Sequence, residues 1–214
     1  MLPLSSSRRL ILLCRYPTVG AAKTRLIPAL GPEGANDVHR RLVLATLRTL
    51  RSYTTRHPVS LEIRTEGAPE PAWRDWLGSD LTYRPQGPGD LGERMQEALA
   101  AAFAEGTSQV VLVGSDCPYF TALDIEAAFA ALDHTPVTLG PALDGGYWLI
   151  GLHRPIPDLF RAVPWSTDQV LRTTQARATQ AGHAVTLLRP LGDVDRPEDL
   201  PAWLAHEGTG GVLV

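Results

Sequence analysis

The sequence has few cysteines and no long apolar run. Its two cysteines, Cys14 and Cys117, lie far apart and form no C-x-x-C pattern, which argues against a disulfide framework and against the usual zinc sites. The apolar run near the N-terminus, residues 10–14, is too short for the core of a signal peptide or for a membrane-spanning segment. We therefore predict a cytoplasmic location and no insertion into a membrane.

A strong net charge of either sign is also missing. The 20 Lys and Arg residues nearly balance the 23 Asp and Glu residues, so nucleic acid is not an expected partner. Apolar residues make up 44% of the sequence and charged residues 20%, which is typical of a globular protein. The length fits one domain, which we place over residues 1–214, with a flexible end at 207–211.

Short apolar runs alternate with helical patterns along the chain. The runs that predict strands are residues 9–14, 59–63, 81–83, 109–114, 137–139, 147–152 and 184–188. Helical patterns cover residues 38–45, 91–102, 121–132, 166–180 and 197–206, with Thr121 and Ser166 as N-terminal caps. This alternation predicts parallel strands with helices on both faces of the sheet. In such a sheet ligands bind beyond the carboxyl ends of the strands.

The segment after the first strand carries two cations. Lys23 and Arg25 lie two residues apart in a loop that also contains Pro17 and Gly20. A compact ammonium and a planar guanidinium both suit phosphate oxygens, although the Gly-Lys-Thr order of a Walker loop is missing. A solvated loop with two surface cations is an equally open interpretation.

Aspartates follow two of the other predicted strands. Asp116 comes directly after a buried run, and Asp193 and Asp195 alternate, so that both point to one side of an extended chain. Carboxylate oxygens suit Mg²⁺ or Mn²⁺. The structural alternatives are a turn before Pro118 for the first aspartate and a helix N-terminus for the other two. Cys117 is better explained as a packed apolar residue than as a nucleophile.

Two glycine-rich segments each allow two interpretations. Asp144-Gly145-Gly146-Tyr147-Trp148 could bring backbone and aromatic rings to a ligand, but alone it is more typical of an Asp-Gly hairpin turn. Residues 86–95 lead into a helix whose N-terminus could bind an anion, but alone they are more typical of a connecting loop with Asp90 as helix cap. The six histidines show no metal-ligand spacing, and we predict none of them as a catalytic base.

Taken together, these segments resemble the bacterial DUF2064 family, a glycosyltransferase-like branch of the nucleotide-diphospho-sugar transferase (GT-A) superfamily. The resemblance covers about residues 9–205 and implies an α/β protein with a three-layer α/β/α Rossmann-like GT-A fold and a mostly parallel mixed sheet. The matching motifs are residues 17–26 with Lys23-Thr24-Arg25-Leu26, Leu91-Gly92-Glu93-Arg94-Met95, Gly114-Ser115-Asp116-Cys117-Pro118, Asp144-Gly145-Gly146-Tyr147 with Leu149-Ile150-Gly151-Leu152, and Pro164-Trp165-Ser166-Thr167.

The resemblance also implies roles for individual residues. Asp116 matches the metal-binding aspartate of the superfamily, and Asp195 matches the second metal-binding aspartate of the CMP-sugar synthetases, which share the Asp-x-Pro-Glu-Asp-Leu pattern. Lys23 and Arg25 match the basic positions of the phosphate loop and, with Asp116, are the predicted catalytic residues. The expected cofactor is Mg²⁺ or Mn²⁺. The predicted substrate-binding residues are Arg15, Pro17, Gly20, Gly92, Arg94, Ser115, Asp144, Gly145, Gly146, Tyr147 and Trp165.

The leading hypothesis is a metal-dependent transferase that uses a nucleotide-diphospho-sugar. A nucleotidyltransferase that releases pyrophosphate is the alternative, because Lys-Thr-Arg-Leu is similar to the Lys-Ser-Arg-Leu run of the 2-phospho-lactate guanylyltransferases. A non-catalytic nucleotide-binding module is the third, because the Asp-x-Asp triad of many glycosyltransferases is reduced to Ser115-Asp116-Cys117 and the glycine-rich loop of typical sugar nucleotidyltransferases is absent. All three hypotheses predict a nucleotide or nucleotide-sugar as the partner.

Overall fold

Seven strands form one sheet in the computed structural model, which describes residues 7–208. The strands are β1 (Arg8–Arg15), β2 (Val59–Glu66), β3 (Thr82–Pro85), β4 (Gln109–Val113), β5 (Val137–Pro141), β6 (Tyr147–Leu152) and β7 (Val185–Leu187). Their order across the sheet is β3-β2-β1-β4-β6-β5-β7. Strand β6 is antiparallel to both of its neighbours, whereas all other pairs are parallel. The sheet is therefore mixed and mostly parallel, as predicted.

Helices cover both faces of this sheet, which confirms the three-layer architecture. The helices are α1 (Ile27–Thr54), α2 (Glu70–Leu77), α3 (Leu91–Ala104), α4 (Ala122–Leu132), α5 (Val170–Gln180) and α6 (Leu200–Gly208). One apolar core joins the sheet to α1, α2 and α4, and a second joins its other face to α3 and α5. Helix α6 packs through Trp203 against the first half of α1.

Strand β1 lies in the middle of the sheet and is apolar on both faces. Leu10 and Leu12 belong to the core under α1, while Ile11 points into the core under α3. All three side chains are fully buried. Alternate residues of a strand face opposite sides of its sheet, so a run without polar residues fits only a strand with a layer on each side.

Helix α1 is interrupted close to its start. Gly31 has φ 71° and ψ 168°, which is not a helical conformation, and Pro32 follows it. Proline restricts the residue before it to extended conformations, and glycine tolerates the positive φ found here. The helix therefore restarts at this point and runs along the sheet with Leu42 and Leu50 fully buried.

The antiparallel direction of β6 departs from the strand–helix–strand alternation, which predicted parallel strands, but agrees with the mixed sheet that the family resemblance implied. Strands β5 and β6 are joined by a turn of five residues, 142–146, which is too short for a parallel crossover. The two strands therefore form an antiparallel hairpin. This outcome matches the interpretation that the Asp-Gly segment favoured when it was considered alone.

Two local predictions differ from the structure, and one helix was not predicted. The helix expected to open at Ser166 begins at Val170, and Ser166 lies outside it with φ 66°. Helix α2, which begins between two prolines and has only eight residues, was not predicted. The expected flexible end begins inside α6, where Glu207 accepts a hydrogen bond from Nε of Arg41 at 3.1 Å. Residues 209–211 of that end lie outside the described residues.

The cysteines behave as the sequence predicts. Cys14 and Cys117 are free and buried, and burial raises the pKa of the Cys117 thiol to about 12. This thiol stays protonated at neutral pH, which fits a packing role. Within residues 7–208, no helix combines the length and the apolar character needed to cross a membrane.

Candidate functional site

A cleft of about 1140 Å³ opens along the carboxyl edge of the parallel strands. Its wall is formed by the loops that follow β1 and β4, the β5–β6 turn, the start of α3 and the segments 165–168 and 193–199. The volume slightly exceeds the range of about 300–1,000 Å³ that is common for small-molecule sites. The cleft lies where the rule for open α/β sheets predicts a ligand.

The loop after β1 brings Lys23 into the cleft wall. Arg15 donates to the carbonyl oxygen of Ala21 at 3.0 Å, which folds the loop back on the end of the strand. Leu26, fully buried, anchors the far end of the loop in the core beside α1. Between these two points Lys23 adopts the left-handed conformation, with φ 52° and ψ 40°, which is uncommon for a residue other than glycine.

Two carboxylates face the Lys23 ammonium. Its Nζ atom lies 2.8 Å from Oδ1 of Asp116 and 3.9 Å from Oδ1 of Asp195. Arg25 forms a further ion pair with Asp195. The lysine side chain is only 4% exposed, whereas that of Asp116 is 56% exposed. The structure thus brings together the two predicted metal-binding aspartates and the two predicted phosphate-binding cations.

Backbone hydrogen bonds hold the two acidic segments together. The N–H of Val194 donates to the carbonyl oxygen of Asp116 at 2.9 Å. The carboxylate of Asp199 accepts hydrogen bonds from the N–H groups of Asp195 at 2.9 Å and Arg196 at 2.7 Å, and so fixes the chain before α6. Asp199 therefore accepts the backbone hydrogen bonds at this helix start, a role that the structural alternative gave to Asp193 and Asp195. The side chain of Asp195 lines the cleft instead.

Burial and neighbouring charge perturb the pKa of a third aspartate in this part of the cleft. Burial and the nearby carboxylate of Asp144 raise the pKa of Asp193, although Lys23 acts in the opposite direction. Within the described part of the chain, no group of three or more His, Cys, Asp or Glu side chains has the geometry of a metal site.

His39 also lines the cleft, although no histidine was predicted there. Burial lowers the pKa of its imidazole, while a hydrogen bond to the carbonyl oxygen of Arg15 and the charge of Asp116 act to raise it. The Nε2 atom lies 2.9 Å from this carbonyl oxygen. Since a carbonyl only accepts hydrogen bonds, Nε2 carries the proton. The sequence could have indicated His39 only through its position on the buried face of α1, which runs towards the end of β1.

The β5–β6 turn combines a structural role with a place in the cleft wall. The Asp144 carboxylate accepts a hydrogen bond from the N–H of Gly146 at 2.9 Å, which closes the turn. Gly145 has φ 91°, and a Cβ on it would lie 2.2 Å from the carbonyl oxygen of Asp168. Asp144, Gly146 and Tyr147 line the cleft, whereas Gly145 is required by the close approach of two backbone segments.

The start of α3 is capped and packed against another loop. Asp90 and Glu93 form a reciprocal capping box, as the structural alternative for this segment predicted. A Cβ on Gly92 would lie 2.4 Å from the ring of Trp165, so this glycine gives space for the indole. Arg94 reaches the cleft wall and forms an ion pair with Glu66 at 2.9 Å.

The cleft wall contains most of the predicted site residues. Those that line it are Arg15, Lys23, Arg25, Arg94, Ser115, Asp116, Asp144, Gly146, Tyr147, Trp165 and Asp195. Pro17 instead lines a smaller neighbouring pocket of about 440 Å³, together with Tyr16 and Trp76. Gly20, Gly92 and Gly145 lie outside the lining; Gly20, with φ 80°, shapes its loop.

Several polar residues that line the cleft were not among the predicted site residues. They are Thr24, His39, Glu66, Gln86, Asp90, Ser166, Thr167, Asp168, Asp193, Arg196 and Asp199. Gln86 is buried and donates from Nε2 to the carbonyl oxygens of Cys14 at 2.9 Å and Arg64 at 3.2 Å. It therefore ties the ends of β1 and β2 together. Its position just after β3, at the same edge of the sheet, was the available signal.

The three-layer fold and the position of the cleft define a protein of the GT-A-like, nucleotidyltransferase-like class of α/β folds. The chain belongs to the family described as uncharacterized protein conserved in bacteria (DUF2064), whose profile matches residues 49–167. This confirms the family that the motifs indicated. The search of curated proteins found no match.

Solved structures agree with this assignment. A protein from Desulfovibrio desulfuricans G20, provisionally named a nucleotide-diphospho-sugar transferase, has 32% sequence identity and a TM-score of 0.83, over 89% of this chain and 83% of that chain. A CMP:2-keto-3-deoxy-manno-octonic acid synthetase, solved with CTP, has 11% identity and a TM-score of 0.61, over 95% and 99% of the two chains. The glucosyl-3-phosphoglycerate synthase of Mycobacterium tuberculosis, solved with Mn²⁺, UDP and glucosyl-3-phosphoglycerate, has 12% identity and a TM-score of 0.54, over 95% and 77%. The two more distant proteins show likeness of fold alone, and all three names are those of group-transferring or nucleotide-activating enzymes.

Proposed function

We propose that the protein is a metal-dependent transferase that binds a nucleotide-diphospho-sugar in the cleft and transfers its glycosyl group. The observation that carries this proposal is the convergence of Lys23, Arg25, Asp116 and Asp195 at the carboxyl edge of the sheet. A nucleoside diphosphate group needs cations for its oxygens and carboxylates for its divalent ion. The name given to the Desulfovibrio relative supports this class of donor.

Arginines are the side chains best placed to contact the phosphates. Arg25 is 61% exposed, although it pairs with Asp195, so its guanidinium can also reach a ligand. Arg15 and Arg94 share the carboxylate of Glu66, at 3.0 Å and 2.9 Å. Burial acts to raise the pKa of Glu66, but hydrogen bonds from these two arginines lower it. The ionised carboxylate orients both guanidinium groups at the wall of the cleft.

The residues of the site fit a divalent cation such as Mg²⁺ or Mn²⁺. Asp116 and Asp195 direct oxygen atoms to one place, where they face the Lys23 ammonium. Mg²⁺ is usually held by one or two carboxylates, with substrate phosphates and water as its other ligands, so two aspartates are sufficient. When bound, the ion would offset the charge that grows on the departing nucleoside diphosphate. The Mn²⁺ and UDP bound by the mycobacterial synthase support this part of the proposal.

The hairpin turn and the loop at 165–168 form the side of the cleft that we assign to the sugar or the acceptor. Tyr147 and Trp165 pack edge to face, with ring centroids 6.5 Å apart, and both line the cleft. An aromatic ring offers an apolar face together with a polar group at its edge. The carboxylate of Asp144 adds a hydrogen-bond acceptor to the same wall.

The test is release of a nucleoside diphosphate from a panel of nucleotide-diphospho-sugars, with and without Mn²⁺. We expect Asp116→Asn to lower the rate by about a hundredfold or more, as removal of a group that stabilises developing charge does elsewhere. Asp158→Asn is the matched control, because Asp158 is exposed and does not line the cleft. Circular dichroism verifies that both variants fold. An unchanged rate in Asp116→Asn would contradict the metal role.

Nucleotidyl transfer is the second candidate function. The observation that favours it is the pair of cations in the Lys-Thr-Arg-Leu loop, which form ion pairs with Asp116 and Asp195. If these aspartates hold the metal ion, both cations would lie close to the phosphates of a bound nucleotide. A phosphorylated acceptor would attack the α-phosphorus of a nucleoside triphosphate, and pyrophosphate would leave. Pyrophosphate release from a triphosphate and a sugar phosphate supports this reaction over glycosyl transfer. Nucleotide binding without either product would indicate a non-catalytic module.

A further inference from the structure

Lys23 is the only lysine in the sequence. The sequence has 20 Lys and Arg residues in total, and all the others are arginines. Its backbone is held in the left-handed region, at φ 52°, which is energetically unfavourable for a residue other than glycine. Strain of this kind persists where the surrounding structure requires it, often at functional sites.

The burial of the ammonium limits what it can contact. The side chain is 4% exposed, and Nζ itself has almost no solvent-exposed surface. Within residues 7–208, Nζ makes no contact with the geometry of a hydrogen bond, although Oδ1 of Asp116 is only 2.8 Å away. The attraction between opposite charges therefore holds the ammonium in place, and in this conformation a phosphate cannot reach it.

The surroundings of this ammonium resemble those of a metal ion. Oxygen atoms of Asp116 and Asp195 both face it, and each belongs to a different segment of the chain. Two carboxylates brought to one place repel each other unless a cation lies with them. A lysine suits this position better than an arginine, since it is a compact charge on a flexible stem. Arg25 pairs with Asp195 from the exposed side.

We propose that Lys23 is an internal counterion, whose ammonium takes the place of the divalent cation in the metal-free protein and gives it up when the cation binds. This inference rests on the proposed function, because it takes Asp116 and Asp195 to be the metal ligands. Binding of the cation moves the ammonium away from the carboxylates and into the cleft. Only then do its three N–H donors become available to the phosphate oxygens of a nucleotide.

The first test measures Mn²⁺ binding by calorimetry in the absence of nucleotide. Lys23→Met keeps the length of the side chain and removes its charge, and Arg48→Met is the control, since Arg48 is exposed on α1. We expect Lys23→Met to bind Mn²⁺ at least about tenfold more tightly than the wild type. In the wild type, the state in which the ammonium occupies the site competes with Mn²⁺, and a tenfold excess of that state weakens the apparent affinity about tenfold. Arg48→Met should bind Mn²⁺ like the wild type.

Equal or weaker Mn²⁺ binding by Lys23→Met, with binding retained in the wild type, overturns the exchange but leaves the proposed function standing. Absence of Mn²⁺ binding from both proteins overturns the exchange together with the metal part of the proposed function. Thermal unfolding of the metal-free proteins adds an independent readout. Metal-free Lys23→Met should unfold at a lower temperature than metal-free Arg48→Met. Addition of Mn²⁺ should raise the unfolding temperature of Lys23→Met by more than that of Arg48→Met.

The second test uses the unaltered protein. An amine-acetylating reagent can modify one lysine side chain only, and the α-amino group serves as an internal reference in the same mass spectrum. We expect acetylation of Lys23 to be slow in the metal-free protein and to become several-fold faster with Mn²⁺, while the α-amino group reacts at an unchanged rate. Slower or unchanged acetylation at a Mn²⁺ concentration that saturates the site overturns the proposal.

Discussion

Replacement of Gly92 by alanine tests the contact between α3 and the loop that carries Trp165. A Cβ at this position would lie 2.4 Å from Cζ2 of the indole and 2.6 Å from its Nε1, which is well inside van der Waals distance. The ring or the helix must therefore move. An alanine in a helix gains up to about 1 kcal/mol over glycine, whereas overpacking costs about 1–3 kcal/mol. We expect a net loss of about 1–2 kcal/mol, which lowers the melting temperature by roughly 3–6 °C for a chain of this size.

A double-mutant cycle separates the steric contact from the helix propensity. In a Trp165→Ala background the indole is gone, so Gly92→Ala should be neutral or should stabilise by up to about 1 kcal/mol. Calorimetric unfolding of the four proteins gives the coupling between the two positions. If Gly92→Ala destabilises both backgrounds equally, the indole is not the reason for the glycine. If it raises the melting temperature of the wild type, the packing argument is wrong.

Three further predictions concern the rest of the fold. Arg189 holds the pKa of Asp124 below its ordinary value of 3.8, against the effect of burial, so this carboxylate stabilises the fold at higher pH and its contribution disappears as the pH falls below about 3.8. Asp124→Asn should cost about 2 kcal/mol at neutral pH and should flatten the loss of stability in acid, measured by urea unfolding from pH 7 to pH 2. Glu62→Gln weakens the pairing of the buried Arg64 guanidinium, which lies 2.5 Å from Oε1 of the carboxylate, and should cost roughly 3 kcal/mol in denaturant unfolding without changing nucleotide affinity. Ala162→Gly relieves a positive φ of 47° and should stabilise by about 0.5–1 kcal/mol; a lower melting temperature would count against it.

All seven strands were predicted from the sequence, and the two central ones, β1 and β4, were the clearest because a strand buried on both faces leaves little room for polar residues. β4 is the clearest case, because all five of its residues are buried, and in β1 the three consecutive residues Leu10, Ile11 and Leu12 are buried. The direction of β6 did not follow from this pattern, since direction depends on the length of a connection and on what it packs against. Helix α2 was missed for a similar reason. It is short, and its place depends on Trp73, which packs fully buried against the sheet.

The site followed from one topological rule, because the ends of the parallel strands meet at one edge. That rule placed Lys23 and Asp116 together although 92 positions separate them along the chain. It could not distinguish a residue that contacts a ligand from one that gives space to a neighbour. Gly92 and Gly145 belong to the second kind, because each meets a residue of the loop at 165–168. Contacts between distant segments of this kind leave no periodic pattern in a single sequence.

The hairpin of β5 and β6 has a consequence for how the cleft can vary between related proteins. Since β6 runs against its neighbours, its first residue emerges at the same edge as the last residues of β4 and β5. Five residues of turn, 142–146, thus contribute to the mouth of the cleft while the hydrogen-bond ladders on either side stay fixed. Lengthening or replacing this turn can reshape the entrance for a different ligand and leave the hydrophobic layers beneath it untouched.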